Sequence, residues 1–287
     1  MRLTVKLRPL LILGRVSNLP TVWSNCLAAW LLGSGGPSGQ LAQLLLGATL
    51  LYTGGMFLND AVDVAFDQQY RTGRPIPSGQ ISRSAVWGWA AALLGLGWML
   101  LWPLGIMAAA YASVLLATIV AYDFVHKGTK LAPLLMAACR LFLYLVAAAA
   151  APERRSGVAL VPALALAAYV AGLSYLARGE SRRPLRSLGP WPLTLLSIPV
   201  AVGITRIPSG GWNHLLLVFL TGGWIVWCLR YGFSRTKPEF SQGVSGLLAG
   251  IVLVDALAVP ASDPIHWGIF AGLFALALLL QRVIPAT

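Results

Sequence analysis

Acidic side chains are scarce in this chain. Nine Asp and Glu stand against 21 Lys and Arg in 287 residues, and charged residues of both signs make up only 10%. So little charge does not suit the surface of a soluble domain of this size. The formal net charge of +12 would fit a nucleic-acid binder only on a soluble basic surface, which the chain lacks. Cysteine is equally sparse: Cys26, Cys139 and Cys228 all fall inside apolar runs, with no paired spacing and no histidine nearby. That excludes a disulfide framework or a thiolate metal site and leaves three small buried hydrophobes. No repeat, low-complexity tract or soluble domain interrupts the sequence. The basic N-terminus has no small-residue cleavage site, so its apolar stretch reads as a retained first span.

What is present is apolar. Hydrophobic residues reach 57% and the mean hydropathy is +0.75, the balance of a polytopic membrane protein. Runs long enough to cross a hydrocarbon core as helices recur at 16–34, 41–60, 84–101, 104–122, 131–150, 159–177, 190–205, 213–231, 244–260 and 266–283. The expectation is an all-α bundle of nine to ten transmembrane helices, forming one domain over residues 1–287. With ten spans, seventeen Lys and Arg fall at the N-terminus, in the even-to-odd connections and at the tail, against Arg154, Arg155 and Arg206 in the opposite connections. The positive-inside rule then makes both termini cytoplasmic, and the basic excess reflects this topology and contact with anionic lipid.

Three of the few acids, Asp60, Asp63 and Asp67, crowd into FLNDAVDVAFDQQYRTGRPIPSG, residues 57–79, at the cytoplasmic end of the second apolar run. At about 100° per residue, Asn59, Asp63 and Asp67 share one helix face, with Asp60 slightly to the side. Carboxylates so placed either face water at a helix end or are neutralised by a divalent cation on oxygen ligands, for which Mg²⁺ is the natural candidate. Arg71 and Arg74 follow at once, and a Pro-Ile-Pro-Ser-Gly turn stiffens the loop. Mg²⁺ on carboxylates beside guanidinium forks is a way to hold a diphosphate, whose remainder then lies among apolar helices.

This segment resembles the first aspartate-rich motif, N-D-x-x-D-x-x-x-D followed by R-P-I-P-S-G, of the UbiA superfamily of intramembrane prenyltransferases. The resemblance covers about residues 16–260, and AYDFVHKG at the end of the fourth run is similar to the family's Tyr-and-Lys segment, at Tyr122 and Lys127. It implies a UbiA-like helical fold and a Mg²⁺ site on Asn59, Asp60, Asp63 and Asp67. It further implies an isoprenyl diphosphate held by Arg71, Arg74 and Lys127 and ionised near the cytoplasmic face, with Asp63, Asp67 and Lys127 as the catalytic groups. A second small molecule, commonly aromatic or otherwise electron-rich, then attacks the allylic carbocation. Without the family, Lys127 is equally an ordinary residue snorkelling at the membrane interface.

One departure matters. The family's second motif, D-x-x-x-D near the end of the sixth run, falls in YVAGLSYLARGESRRPLR, which contains no Asp. Its nearest substitutes are Tyr175, Arg178 and Glu180, and ARGE resembles a divergent, EboC-like branch. Either Arg178 replaces the charge of a second metal ion, or it is a positive-inside residue like Arg182, Arg183 and Arg186. The missing acids keep a second function class open: a non-catalytic membrane binder or carrier of a prenylated or lipid-like metabolite. A CDP-alcohol phosphotransferase is excluded, since no Asp-Gly pair is present. Two charges lie inside apolar runs, Arg140 and Asp255, each costing on the order of 2.5–3.5 kcal/mol at a helix centre unless it faces the bundle interior or water. Arg140 reads as a partner of substrate or carboxylate, or as half of a structural ion pair; Asp255 reads as structural.

Overall fold

A computed structural model describes residues 7–35, 38–153, 156–180, 191–232, 240–260 and 264–285, and every regular element among them is helical. In chain order the helices are α1 (Leu7–Leu13), α2 (Leu19–Leu32), α3 (Ser38–Val62), α4 (Val64–Tyr70), α5 (Arg83–Leu101), α6 (Ile106–Val125), α7 (Ala132–Ala150), α8 (Ser156–Glu180), α9 (Trp191–Thr205), α10 (Ile207–Gly232), α11 (Phe240–Ala258) and α12 (Pro264–Val283). Each of the ten apolar runs coincides with one of them. Eight are long and apolar enough to cross a membrane, and α9 is a shorter apolar helix. The 14-residue α2 fills the place of the first run, whose start, Val16–Asn18, is a 3₁₀ turn. The protein is a multi-pass integral membrane protein.

Local chemistry sets the boundaries. The Ser82 hydroxyl caps α5 by accepting from the Ala85 N–H, and Pro133 opens α7 where an N–H would lack a helical partner anyway. Between α5 and α6 the chain turns at Gly105 with φ 128°, a conformation that side chains resist.

The antiparallel neighbours α3 and α5 pack through glycine. A Cβ at Gly97 would stand 2.8 Å from the Leu51 backbone nitrogen and 2.9 Å from the Gly47 carbonyl oxygen, so the two backbones touch there. The first long helix closes the bundle. α2 packs on α3, α7, α8, α11 and α12, and its Val22, Cys26, Ala28 and Ala29 are fully buried. Buried residues from Leu13 to Phe270 form one continuous apolar cluster, whereas α12 turns Ile265, Ile269, Leu279 and Val283 outward, as a helix facing lipid does. Cys26 and Cys228 are buried and Cys139 is half-buried, all three as free thiols.

Candidate functional site

The acidic segment begins as the last turn of α3. The helix is interrupted at Asp63, yet i to i−4 backbone bonds run through the break, from Asp63 N to Asn59 O (2.9 Å), Asp67 N to Asp63 O (2.9 Å) and Arg71 N to Asp67 O (2.8 Å). Asn59, Asp63 and Asp67 therefore do form a helical ladder. All three, with Asp60, are buried.

Their side chains diverge toward two groups of cations. Arg74 Nη1 donates to Asp60 Oδ1 at 2.8 Å and to Asp67 Oδ2 at 3.1 Å, tying two acids a turn or more apart. Arg15 Nη2 reaches Asn59 Oδ1 at 3.2 Å and Asp60 Oδ1 at 3.5 Å. Asp63 turns the other way, to the connection after α6, where Lys127 Nζ stands 2.7 Å from Oδ1 and His126 Nε2 3.3 Å from Oδ2. The turn behind Arg74 is fixed by Ser78, whose N–H and hydroxyl both donate to the Arg74 carbonyl, and by Gly79 at φ 72°.

Electrostatics follow from these pairings. Burial alone would raise the Asp63 pKa, but hydrogen bonds and charge from His126 and Lys127 outweigh it and hold the carboxyl below its ordinary value. Burial would likewise discharge His126, yet Asp63 and the Asp123 carbonyl raise its pKa above that of an ordinary histidine. Both ring nitrogens face oxygen: Nδ1 lies 3.2 Å and 3.1 Å from the Tyr122 and Asp123 carbonyls, which suits an imidazolium.

Can this constellation take Mg²⁺? Among the described residues no group of three or more His, Cys, Asp or Glu converges on one point, so the four-ligand set expected from the motif is not assembled as a ready-made cage. The physical reason is that Asp60 and Asp67 are drawn to Arg74 while Asp63 is drawn to Lys127 and His126, and that both polar atoms of Asn59 are engaged, Oδ1 by Arg15 and Nδ2 as a donor to Asp123 Oδ1 at 3.1 Å. The donor chemistry nevertheless fits. Asp67 Oδ1 and Asp123 Oδ2 are buried without a hydrogen bond, and Asp63 Oδ1 has the Lys127 ammonium beside it at 2.7 Å. Mg²⁺ is commonly held by one or two carboxylates and completed by substrate phosphates.

The other expected residues fall in three places. The Arg71 side chain is exposed and makes no ion pair among the described residues. At the end of α8, Arg178 Nη2 donates to the His126 carbonyl at 3.2 Å and the Tyr175 hydroxyl to the Lys130 carbonyl at 3.4 Å, so both hold the segment that carries Lys127. The side chain of Glu180, and Arg182, Arg183 and Arg186, lie outside the described residues. Beneath the acids, between α2, α3, α6 and α7, lies a cavity of about 80 Å³ lined by Tyr52, Tyr122, Asp123, Cys139, Arg140 and aliphatic side chains. Arg140 is bonded to Thr21 O (3.1 Å), Asn25 Oδ1 (2.6 Å) and Thr21 Oγ1 (2.9 Å), and Asn25 Nδ2 donates in turn to Asp255 Oδ2 at 2.6 Å. The ion pair is thus mediated by an amide.

Three participants were not singled out from the sequence. Asp123, 1% exposed, and His126 both stand in AYDFVHKG, where an acid inside a twenty-residue apolar helix was the available signal. Arg15 had counted only toward topology, because nothing local joins it to acids 44 and 45 residues away.

The sequence profile described as the UbiA prenyltransferase family matches residues 18–240. A search of curated protein sequences returned no significant match. Among solved structures, a UbiA homologue from Aeropyrum pernix K1 in its apo form superposes with a TM-score of 0.67 at 19% identity, over 86% of this chain and 97% of that one. A UbiA homologue from Archaeoglobus fulgidus, bound to GPP and Mg²⁺, gives 0.60 at 14% identity over 94% and 99%. Digeranylgeranylglyceryl phosphate synthase gives 0.62 at 16% identity, again over 94% and 99%. At such identities the likeness is one of fold.

Proposed function

Because the chain belongs to the UbiA prenyltransferase family, we propose that it transfers an isoprenyl group from an isoprenyl diphosphate to an electron-rich acceptor, with Mg²⁺ as cofactor. The observation that carries this reading is the pair of buried, unbonded oxygens on Asp67 and Asp123 together with Asp63, whose Oδ1 meets Lys127, beside the cation Arg74. The Archaeoglobus homologue solved with GPP and Mg²⁺ supports the same choice of substrate and metal. Both termini and the acidic end of α3 are assigned to the cytoplasmic side on the distribution of Lys and Arg.

Asp63 and Asp67 would hold the metal, with Asp60 bound to Arg74 and Asn59 orienting the helix end. When bound, Mg²⁺ stabilises negative charge on the leaving diphosphate. Lys127 adds a point charge at the same place, and Arg74, whose Nη1 already spans two carboxylates, presents the remainder of its fork to phosphoryl oxygens. The bond between C1 of the prenyl group and the bridging oxygen breaks, and diphosphate leaves. A new bond then forms from the acceptor to C1, and the acceptor loses a proton. Aliphatic walls keep water from the carbocation, and the rings of Tyr52 and Tyr122 line its surroundings.

A second reading, a binder or carrier of a prenylated metabolite, is favoured by one observation: the end of α8 offers Tyr175 and Arg178 where a second pair of acids would hold another metal ion. One experiment separates the two. Purified protein is incubated with radiolabelled geranyl, farnesyl or geranylgeranyl diphosphate, Mg²⁺ and a membrane lipid extract. Mg²⁺-dependent movement of label into a new lipid, with release of diphosphate, is the expected result. Tight binding without release would leave the carrier reading standing and overturn the transferase.

A further inference from the structure

Four buried acids stand at this end of the bundle, and three of them already have a cation. Asp60 and Asp67 share Arg74, Arg15 lies 3.5 Å from Asp60, and Asp63 meets Lys127 and His126. Asp123 is the exception. Among the described residues no Lys, Arg or His nitrogen comes within ion-pair distance of its carboxylate. Its Oδ1 accepts from the Asn59 amide at 3.1 Å, and its Oδ2 is buried without a hydrogen bond. The residue lies in α6, two positions before the helix ends. An unpaired carboxylate so placed is costly until a proton, or a cation from outside the protein, neutralises it.

Two contacts tie Asp123 to the acidic ladder of α3. Asn59, which holds its carboxylate, stands one turn before Asp63, whose N–H donates to the Asn59 carbonyl at 2.9 Å. The His126 ring spans the same gap from the other side, with Nδ1 3.1 Å from the Asp123 carbonyl and Nε2 3.3 Å from Asp63 Oδ2. A cation brought in by a diphosphate meets at Asp123 a carboxylate that gives up no ion pair to bind it, whereas Asp60 and Asp63 must each loosen one. Mg²⁺ needs only one or two carboxylates when phosphate and water complete its shell, so no cage of three acids is required. Other described acids are engaged elsewhere: Glu153 with Ser34, and Asp255 with Ser24 and Asn25.

We propose that Asp123 is a ligand of the Mg²⁺ that binds with the diphosphate, a carboxylate supplied by α6 in addition to those of the acidic segment. The proposal deepens the transferase reading above and rests on it.

The test reads metal binding and not turnover. The whole protein, saturated with geranyl S-thiolodiphosphate, is titrated with Mn²⁺ in place of Mg²⁺, and free Mn²⁺ is followed by electron paramagnetic resonance. Asp123→Asn keeps the volume and an oxygen for the Asn59 amide but removes the charge. It should weaken Mn²⁺ binding by at least about tenfold, the lower end of what losing even a supporting partner of a metal ligand costs. Asp123→Cys tells a ligand from such a partner, because a thiolate prefers a soft cation. This variant should take Cd²⁺ and gain a sulfur-to-cadmium absorption band absent from the wild-type protein. Unchanged Mn²⁺ affinity in Asp123→Asn, or no new band in Asp123→Cys, overturns the proposal and leaves Asp123 a protonated support for Asn59. A wild-type measurement decides if the variants do not fold. Dicyclohexylcarbodiimide labelling of Asp123, read by peptide mass spectrometry, should be slowed several-fold more by thiolodiphosphate with Mg²⁺ than by thiolodiphosphate alone, and equal rates overturn the proposal. Failure of the wild-type protein to bind thiolodiphosphate at all removes the transferase reading and this proposal with it, whereas binding with unchanged metal affinity in Asp123→Asn removes this proposal alone.

Discussion

Lys127 and Asp63 meet at 2.7 Å, joining the end of α3 to the connection that follows α6. The same ammonium lies 4.1 Å from the centre of the Phe66 ring, so it is held from two sides.

Replacing Asp63 by Ala should remove a metal ligand and the counterion of Lys127 together. Mg²⁺-dependent affinity for geranyl diphosphate is then expected to fall by more than the roughly 10- to 100-fold caused by losing a mere supporting partner of a metal ligand. Calorimetric titration with and without Mg²⁺ is the measurement. Unchanged metal-dependent affinity would remove Asp63 from the site.

Arg178 should matter through its charge. Its guanidinium is anchored on the His126 carbonyl, one residue from Lys127. Arg178→Gln is expected to weaken diphosphate binding about tenfold, the scale of one charge-assisted contact, and Arg178→Lys to recover part of it. Titration of affinity against Mg²⁺ concentration for the three proteins tests this. Coincident curves would reduce Arg178 to a topological charge.

Packing between α3 and α5 gives a prediction independent of function. Gly97→Val places side-chain atoms against the Leu51 backbone nitrogen and the Gly47 carbonyl oxygen, atoms that cannot swing aside. The cost of such overpacking is about 1–3 kcal/mol. A lower Tm of the detergent-solubilised protein, with Gly95→Val as the control at a position with open space, is the expected outcome.

Orientation is checked at the tail. α12, with Arg282 in its last turn, should end in the cytoplasm. A C-terminal fusion to a reporter active only outside the cytoplasm should be silent, and activity there would contradict ten spans with a cytoplasmic N-terminus.

How much of this was legible in the sequence depends on range. The helical ladder of Asn59, Asp63 and Asp67 was readable because spacing along one helix is local, and the ten apolar runs because lipid imposes length and hydropathy together. Cross-helix pairing was not. Arg15 and Asn59 meet only because the connection after α1 lies against α3, and Asn59 and Asp123 only because α6 returns to the same end. A motif of acids announces that cations will come to it without naming them, and here Arg15, Arg74, His126 and Lys127 each take a share. The short α4 was missed for a related reason, being a continuation of α3 past a one-residue interruption at Asp63.

The packing of α2 against α11 and α12 imposes an order on biogenesis. Ser24 and Asn25 enter the bilayer early in synthesis, yet the acceptor of their hydrogen bonds, Asp255, is made 231 and 230 residues later. Until then the Ser24 hydroxyl has only the Thr21 carbonyl of its own helix to donate to. A chain ended before α11 would therefore leave Ser24 and Asn25 without their carboxylate partner.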